Sequence, residues 1–194
     1  MDFKKLLIRQ YRWNTAIVRH MIGQLTDDLT EDELNWQARP GHHSIWHHIW
    51  HMFLSNDYYS ANALEMEPVW EKSSWKDRLD LTPMARAFEY EGNAEDGPVP
   101  RWVIADVPDE LVDELKAIPL PSYLAYVDEL FTTTLERLTE APDEALLRRI
   151  PWYFDMTRPA YESVVGMGHV YRHIGMMEDL RGLIRGPGAG TASI

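Results

Sequence analysis

Four long stretches with apolar residues at helical spacing restrict most strongly what this chain can fold into. The predicted helices span residues 3–25, 45–66, 122–139 and 159–185. The first of them lacks proline and repeats an apolar residue every fourth position, at Trp13, Ile17, Met21 and Leu25. Helices of this length are stabilised by burying such faces against one another. The sequence therefore predicts an all-α four-helix bundle with a long crossover segment between helices 2 and 3.

Local signals mark the ends of these helices. Thr30 and Glu33 have the spacing of a capping box, which predicts a short helical turn, and Arg39-Pro-Gly41 then interrupts the chain. Ser44 is the expected N-cap of the second helix. Helical periodicity fails in the proline- and tryptophan-rich segment 68–108, and a short helix is predicted over 108–116. The long segment either covers a site or is a surface excursion held by its own tryptophans.

Composition limits the classes of protein that remain. The chain has 194 residues, a net charge of -12 and no cysteine. The negative charge repels the phosphate backbone of nucleic acids and so disfavours nucleic-acid binding. Because no cysteine is present, the ligands of any metal site must be imidazole, carboxylate, carbonyl or water. No signal peptide or membrane span is recognisable. We expect a cytoplasmic protein with one domain over 1–185 and a flexible tail over 186–194, and neither nucleic acid nor membrane as a partner.

Two histidines interrupt the apolar stripe of the fourth helix. The expected inward positions are His169, His173, Met176, Leu180 and Leu183. A core imidazole needs partners for both nitrogens, and a metal ion is one of them. A third ligand should come from the histidine-rich start of the second helix, where periodicity alone favours His48 as the inward group. Core histidines held by hydrogen bonds are the commoner alternative, and the zincin motif His-Glu-x-x-His is absent because Val170 follows His169.

Several motifs resemble a known family, the DinB-like metal-binding four-helix bundles, which include mycothiol-dependent maleylpyruvate isomerases and bacillithiol S-transferases. They are Arg39-Pro-Gly with Ser44-Ile-Trp-His-His-Ile-Trp-His51, Tyr123-Leu-Ala-Tyr-Val-Asp-Glu-Leu130, and His169-Val-Tyr-Arg-His-Ile-Gly175. The resemblance implies that His51, His169 and His173 bind the metal. His48 is then expected to support a ligand from behind or to replace one. Met176 departs from the pattern, because the family often has Gln or Glu there.

The resemblance also implies an activity. We expect a divalent-metal-dependent enzyme, with Zn, Ni, Mn or Fe, that acts as a thiol-dependent S-transferase or isomerase on a small electrophile. The thiol would be a low-molecular-weight cofactor, and the protein a homodimer. A non-catalytic metal-binding bundle and a metal-assisted hydrolase are the alternatives. No general base is evident, since Tyr58, Tyr161 and Glu178 have little in their favour, and His20, His42 and His43 are expected to be surface or packing residues.

Overall fold

Long helices dominate the fold. The computed structural model describes residues 3–40, 42–79, 118–150, 155–186 and 188–190. In chain order its α-helices are α1 (Phe3–Thr26), α2 (Glu31–Leu34), α3 (Ile45–Leu64), α4 (Val69–Lys72), α5 (Trp75–Arg78), α6 (Leu120–Glu140), α7 (Asp143–Leu146), α8 (Arg158–Tyr161) and α9 (Gly168–Arg185). The predicted all-α class is confirmed. Two short strands that the sequence did not predict, β1 (Arg149–Ile150) and β2 (Met156–Thr157), pair antiparallel.

Contacts among the four long helices show which of them are neighbours, and two hydrogen bonds give the relative direction of α3 and α6. Helix α3 packs against α6 and α9, and these two also contact α1. Tyr123 donates a hydrogen bond to the carbonyl of Trp50, and Arg137 donates one to the carbonyl of Leu64, so α3 and α6 run in the same direction. Two parallel neighbours need a crossover between them. This agrees with the long segment predicted between the second and third helices.

The helix boundaries follow from local chemistry. The Thr30 side chain accepts a hydrogen bond from the backbone of Glu33, whose carboxylate accepts one from the backbone of Thr30, as the capping box predicts. The Ser44 hydroxyl accepts from the backbone N–H of His47 at 3.1 Å and caps α3. Helix α6 begins at Leu120, two residues before the predicted start, because Pro121 fits a first turn that needs no N–H donor.

The start of the crossover is held by a buried carboxylate. Asp57 on α3 accepts hydrogen bonds from the backbone N–H groups of Val69 and Trp70, each at 2.8 Å, and from the Tyr126 hydroxyl at 2.9 Å. Burial raises the pKa of Asp57 to about 6, although these hydrogen bonds act against the shift. Most of the crossover, and the helix predicted over 108–116, lie outside the described residues.

The predicted fourth helix comprises α8, a π-helical segment (Glu162–Met167) and α9. Its predicted apolar stripe is wrong at the C-terminal end, where the Leu183 side chain is 60% exposed. The buried arc of α9 instead centres on Val170, Ile174 and Met177, because the helix packs against both α1 and α3. The two histidines consequently lie at the α3 side of this arc and not at its centre.

The C-terminal tail contacts the last long helix. Arg181 donates a hydrogen bond from Nε to the carbonyl of Ala189 at 2.7 Å, so this part of the tail contacts α9. The flexible tail and the single-domain division stay predictions. Within the described ranges, no helix is long and apolar enough to span a membrane.

Candidate metal centre

Three histidines from two helices converge on one point. His51 lies in the second turn of α3, and His169 and His173 lie one turn apart at the start of α9. Each offers one ring nitrogen, and these three nitrogens lie within 4.8 Å of one another. The ring centroid of His51 is 5.1 Å from that of His169 and 5.0 Å from that of His173. The structure therefore brings together the three residues that the resemblance implied.

The distance between His169 and His173, and the orientations of all three rings, suit neighbouring ligands of a single ion. Nε2 of His173 is 3.0 Å from Nε2 of His169. With metal–nitrogen bonds of about 2.0–2.1 Å, two ligands at a right angle are about 3 Å apart, and two at the tetrahedral angle about 3.4 Å. The planes of the three rings are inclined to one another by 63° to 73°, so the rings are not stacked. The residues present fit a divalent metal.

His48 contacts the cluster from behind. Its Nδ1 is 2.9 Å from Nδ1 of His173, the nitrogen that faces away from His169. A neutral imidazole carries one proton, so His173 can donate from Nδ1 to His48 and keep the lone pair of Nε2 for a metal. His169 lacks such support, since its buried Nδ1 has no hydrogen-bond partner within the described part of the chain.

Burial favours the neutral form of His48, His169 and His173. Desolvation, followed by the neighbouring histidines, lowers the pKa of His173 to about 2. Desolvation, followed by the nearby His43, lowers the pKa of His48 to about 4. Desolvation, followed by the nearby His51, lowers the pKa of His169 to about 4 as well. Metal ligands must be deprotonated, so the neutral rings suit binding near neutral pH. Since His51 and His169 are only half-buried, the cluster is accessible from one side.

The other histidines lie beside the cluster or away from it. His47 is buried and stacks on His43, with ring centroids 3.9 Å apart. Desolvation lowers the pKa of His47 to about 2. His42 accepts a hydrogen bond from Arg39, and His20 lines a surface cleft on α1. None of these four belongs to the group of converging ligand atoms.

The aromatic surroundings include one residue that the sequence analysis missed. The ring of Tyr59 lies edge to face against His169, with centroids 5.7 Å apart, and also contacts Tyr161. Position 59 is eleven residues, three helical turns, after His48, and this spacing could have identified it. Tyr58, by contrast, donates to Glu71 at 2.6 Å, and burial raises its pKa. Glu178 lies in the C-terminal half of α9, beyond both histidines.

Comparison with known proteins gives one family. A sequence profile of the DinB superfamily matches residues 15–177, a range that contains α3, α6 and all three converging histidines. A search of curated proteins finds no match to the chain.

Proposed function

The chain belongs to the DinB superfamily, and on this basis we propose that it is a divalent-metal-dependent enzyme whose ion is held by His51, His169 and His173. The observation that carries the proposal is the convergence of three ligand nitrogens within 4.8 Å. Zn, Ni, Mn and Fe are the candidate metals that the family resemblance implies, and imidazole is a favourable ligand for Zn, Ni and Fe among them. Three protein ligands leave coordination positions for a substrate, as catalytic sites require.

The proposed reaction is thiol-dependent S-transfer to a small electrophile, or a thiol-dependent isomerisation. A bound divalent ion lowers the pKa of a thiol or of water and so supplies a nucleophile near neutral pH. The chain has no cysteine, and the sulfur must therefore come from a low-molecular-weight thiol. The half-buried edges of His51 and His169 are where such a molecule would approach.

The chain's own residues would orient the ligands and shape the approach. With a metal on Nε2 of His173, His48 would accept a hydrogen bond from the Nδ1–H group of His173 and so keep the lone pair of Nε2 directed into the cluster. The ring of Tyr59 covers one side of His169 and is itself in contact with Tyr161. This aromatic wall would exclude water from that side of the reacting groups.

A turnover assay on metal-loaded protein tests the proposal. We expect conjugation of glutathione or cysteine to 1-chloro-2,4-dinitrobenzene to require both metal and protein, and to be lost in His173→Ala. A reaction that needs metal but no thiol would instead favour a metal-assisted hydrolase, tested with ester and amide substrates. Full metal occupancy without turnover for any thiol or metal would contradict the enzyme proposal and favour a non-catalytic metal-binding protein.

A further inference from the structure

An open cavity lies next to the histidine cluster. It has a volume of about 510 Å³, within the range of small-molecule sites. The residues that matter for its chemistry are His43, His48, Arg172, Gly175, Met176 and Asp179. His48 connects this cavity with the cluster, because the same side chain contacts His173 at 2.9 Å.

Arg172 gives the cavity one cationic group that can bind an anion. Arg172 has no ion-pair partner within the part of the chain that the structure describes, although the protein as a whole carries a net charge of -12. A guanidinium binds a carboxylate or a phosphate through two parallel N–H donors. Asp179 lines the same cavity seven residues after Arg172, about 10 Å further along the helix. A carboxylate can therefore bind the guanidinium at one end, whereas a dianion finds no second cation in the wall and meets a like charge at the other end.

The remaining wall offers room for an apolar group. Apart from adjacent residues and the nearby backbone of α9, a Cβ atom added at Gly175 would meet no atom within 4 Å, so a side chain at this position would occupy open space. Met176, the next residue, supplies apolar surface to the same cavity. A ligand with a charged head beside Arg172 and a short apolar tail along Gly175 and Met176 therefore matches the lining.

We propose that this cavity binds a small organic monocarboxylate with Arg172 as its ion-pair partner. The proposal goes beyond the function proposed above and does not depend on a metal or a thiol. Binding beside His48 also places the ligand one side chain away from His173, so ligand binding and metal binding at the two sites are expected to influence each other.

A chemical-shift titration of the purified protein with hexanoate tests this proposal. Hexanoate should shift the amide signals of Arg172 and Gly175, and hexanamide, which has the same tail without the charge, should bind at least tenfold more weakly. R172Q should weaken hexanoate binding about tenfold, and G175V should abolish it by filling the cavity. R12Q, which changes an exposed arginine on α1, is the matched control and should bind as the wild type does.

Several results would overturn the proposal. They are the absence of hexanoate binding at millimolar concentration, equal affinity for hexanamide, equal affinity for inorganic phosphate, and unchanged hexanoate affinity in R172Q. Neither substitution is expected to unfold the chain, because Arg172 is exposed and Gly175 has open space beside it. The titration needs no turnover, and its failure is therefore distinguishable from failure of the enzyme proposal.

Discussion

Replacing His48 by phenylalanine should weaken metal binding although His48 is not one of the converging ligands. The phenyl ring fills a similar volume but offers no acceptor for the Nδ1 proton of His173. With a metal on Nε2, that proton must stay on Nδ1, and in the variant it is buried without a partner. The metal-bound form is thus destabilised relative to the free protein, in which His173 can move its proton to Nε2.

The size of the effect follows from this one hydrogen bond. Leaving a buried donor without a partner costs about 1–3 kcal/mol, and each 1.4 kcal/mol is about a factor of ten in affinity. We expect the dissociation constant for Zn²⁺ to rise roughly tenfold to a hundredfold, in line with the usual effect of such supporting residues. His48→Gln keeps an acceptor oxygen and should recover part of this loss.

Competition with a chromophoric chelator measures these constants at fixed pH. His47→Phe is the matched control, because His47 is as buried as His48 but has no hydrogen bond to His173. Circular dichroism confirms that each variant is folded. Equal zinc affinity in wild type and His48→Phe, with the fold intact, would show that His48 does not support His173 as a ligand.

Three further predictions concern metal content and stability. Each alanine variant of the three converging histidines should lose most bound metal in elemental analysis, whereas His20→Ala should retain it. Asp57→Ala should lower the free energy of unfolding by about 2–4 kcal/mol, because three hydrogen bonds are lost in a buried setting; urea denaturation measures this, and a change below the error would contradict it. Metal-free protein should become less stable as the pH falls from about 6.5 towards 4, since the unfolded chain protonates histidines that the folded chain keeps neutral. Each such histidine lowers the free energy of unfolding by roughly 1.4 kcal/mol per pH unit of acidification. The raised pKa of Asp57 opposes this trend, but by the uptake of only one proton. Denaturation at pH 7 and pH 5 measures the change, and a rise in stability on acidification would contradict the prediction.

The sequence predicted the long helices well because their signals are local. Ser44 and Thr30 cap helices through side chains that accept hydrogen bonds from backbone groups three residues further along the chain. Because both partners lie within one short motif, the start of each helix can be predicted from that motif. The strand pair was missed because two-residue strands are too short to show an alternating pattern. The π-helical segment before α9 was missed because an isolated glycine such as its Gly166 is also tolerated in an ordinary α-helix.

The candidate site was harder to predict from periodicity. Leu183 illustrates the difficulty, because it belongs to the predicted apolar stripe of α9 but is exposed. The buried face of α9 is determined by its contacts with both α1 and α3, and one apolar stripe does not predict two contact surfaces. Periodicity favoured His48, which is indeed more buried than His51, yet His51 supplies the converging nitrogen. A ligand that leaves room for a substrate lies at the edge of the core, and only the family resemblance pointed to His51.

In the proposed metal centre, His51, His169 and His173 together hold one divalent ion. Anomalous scattering from crystals of protein loaded with Zn²⁺ or Ni²⁺ tests it most directly, because the signal locates the metal. We expect one peak per chain, within bonding distance of a ring nitrogen of each of the three histidines. A peak elsewhere, or no peak from protein exposed to excess metal, would contradict it.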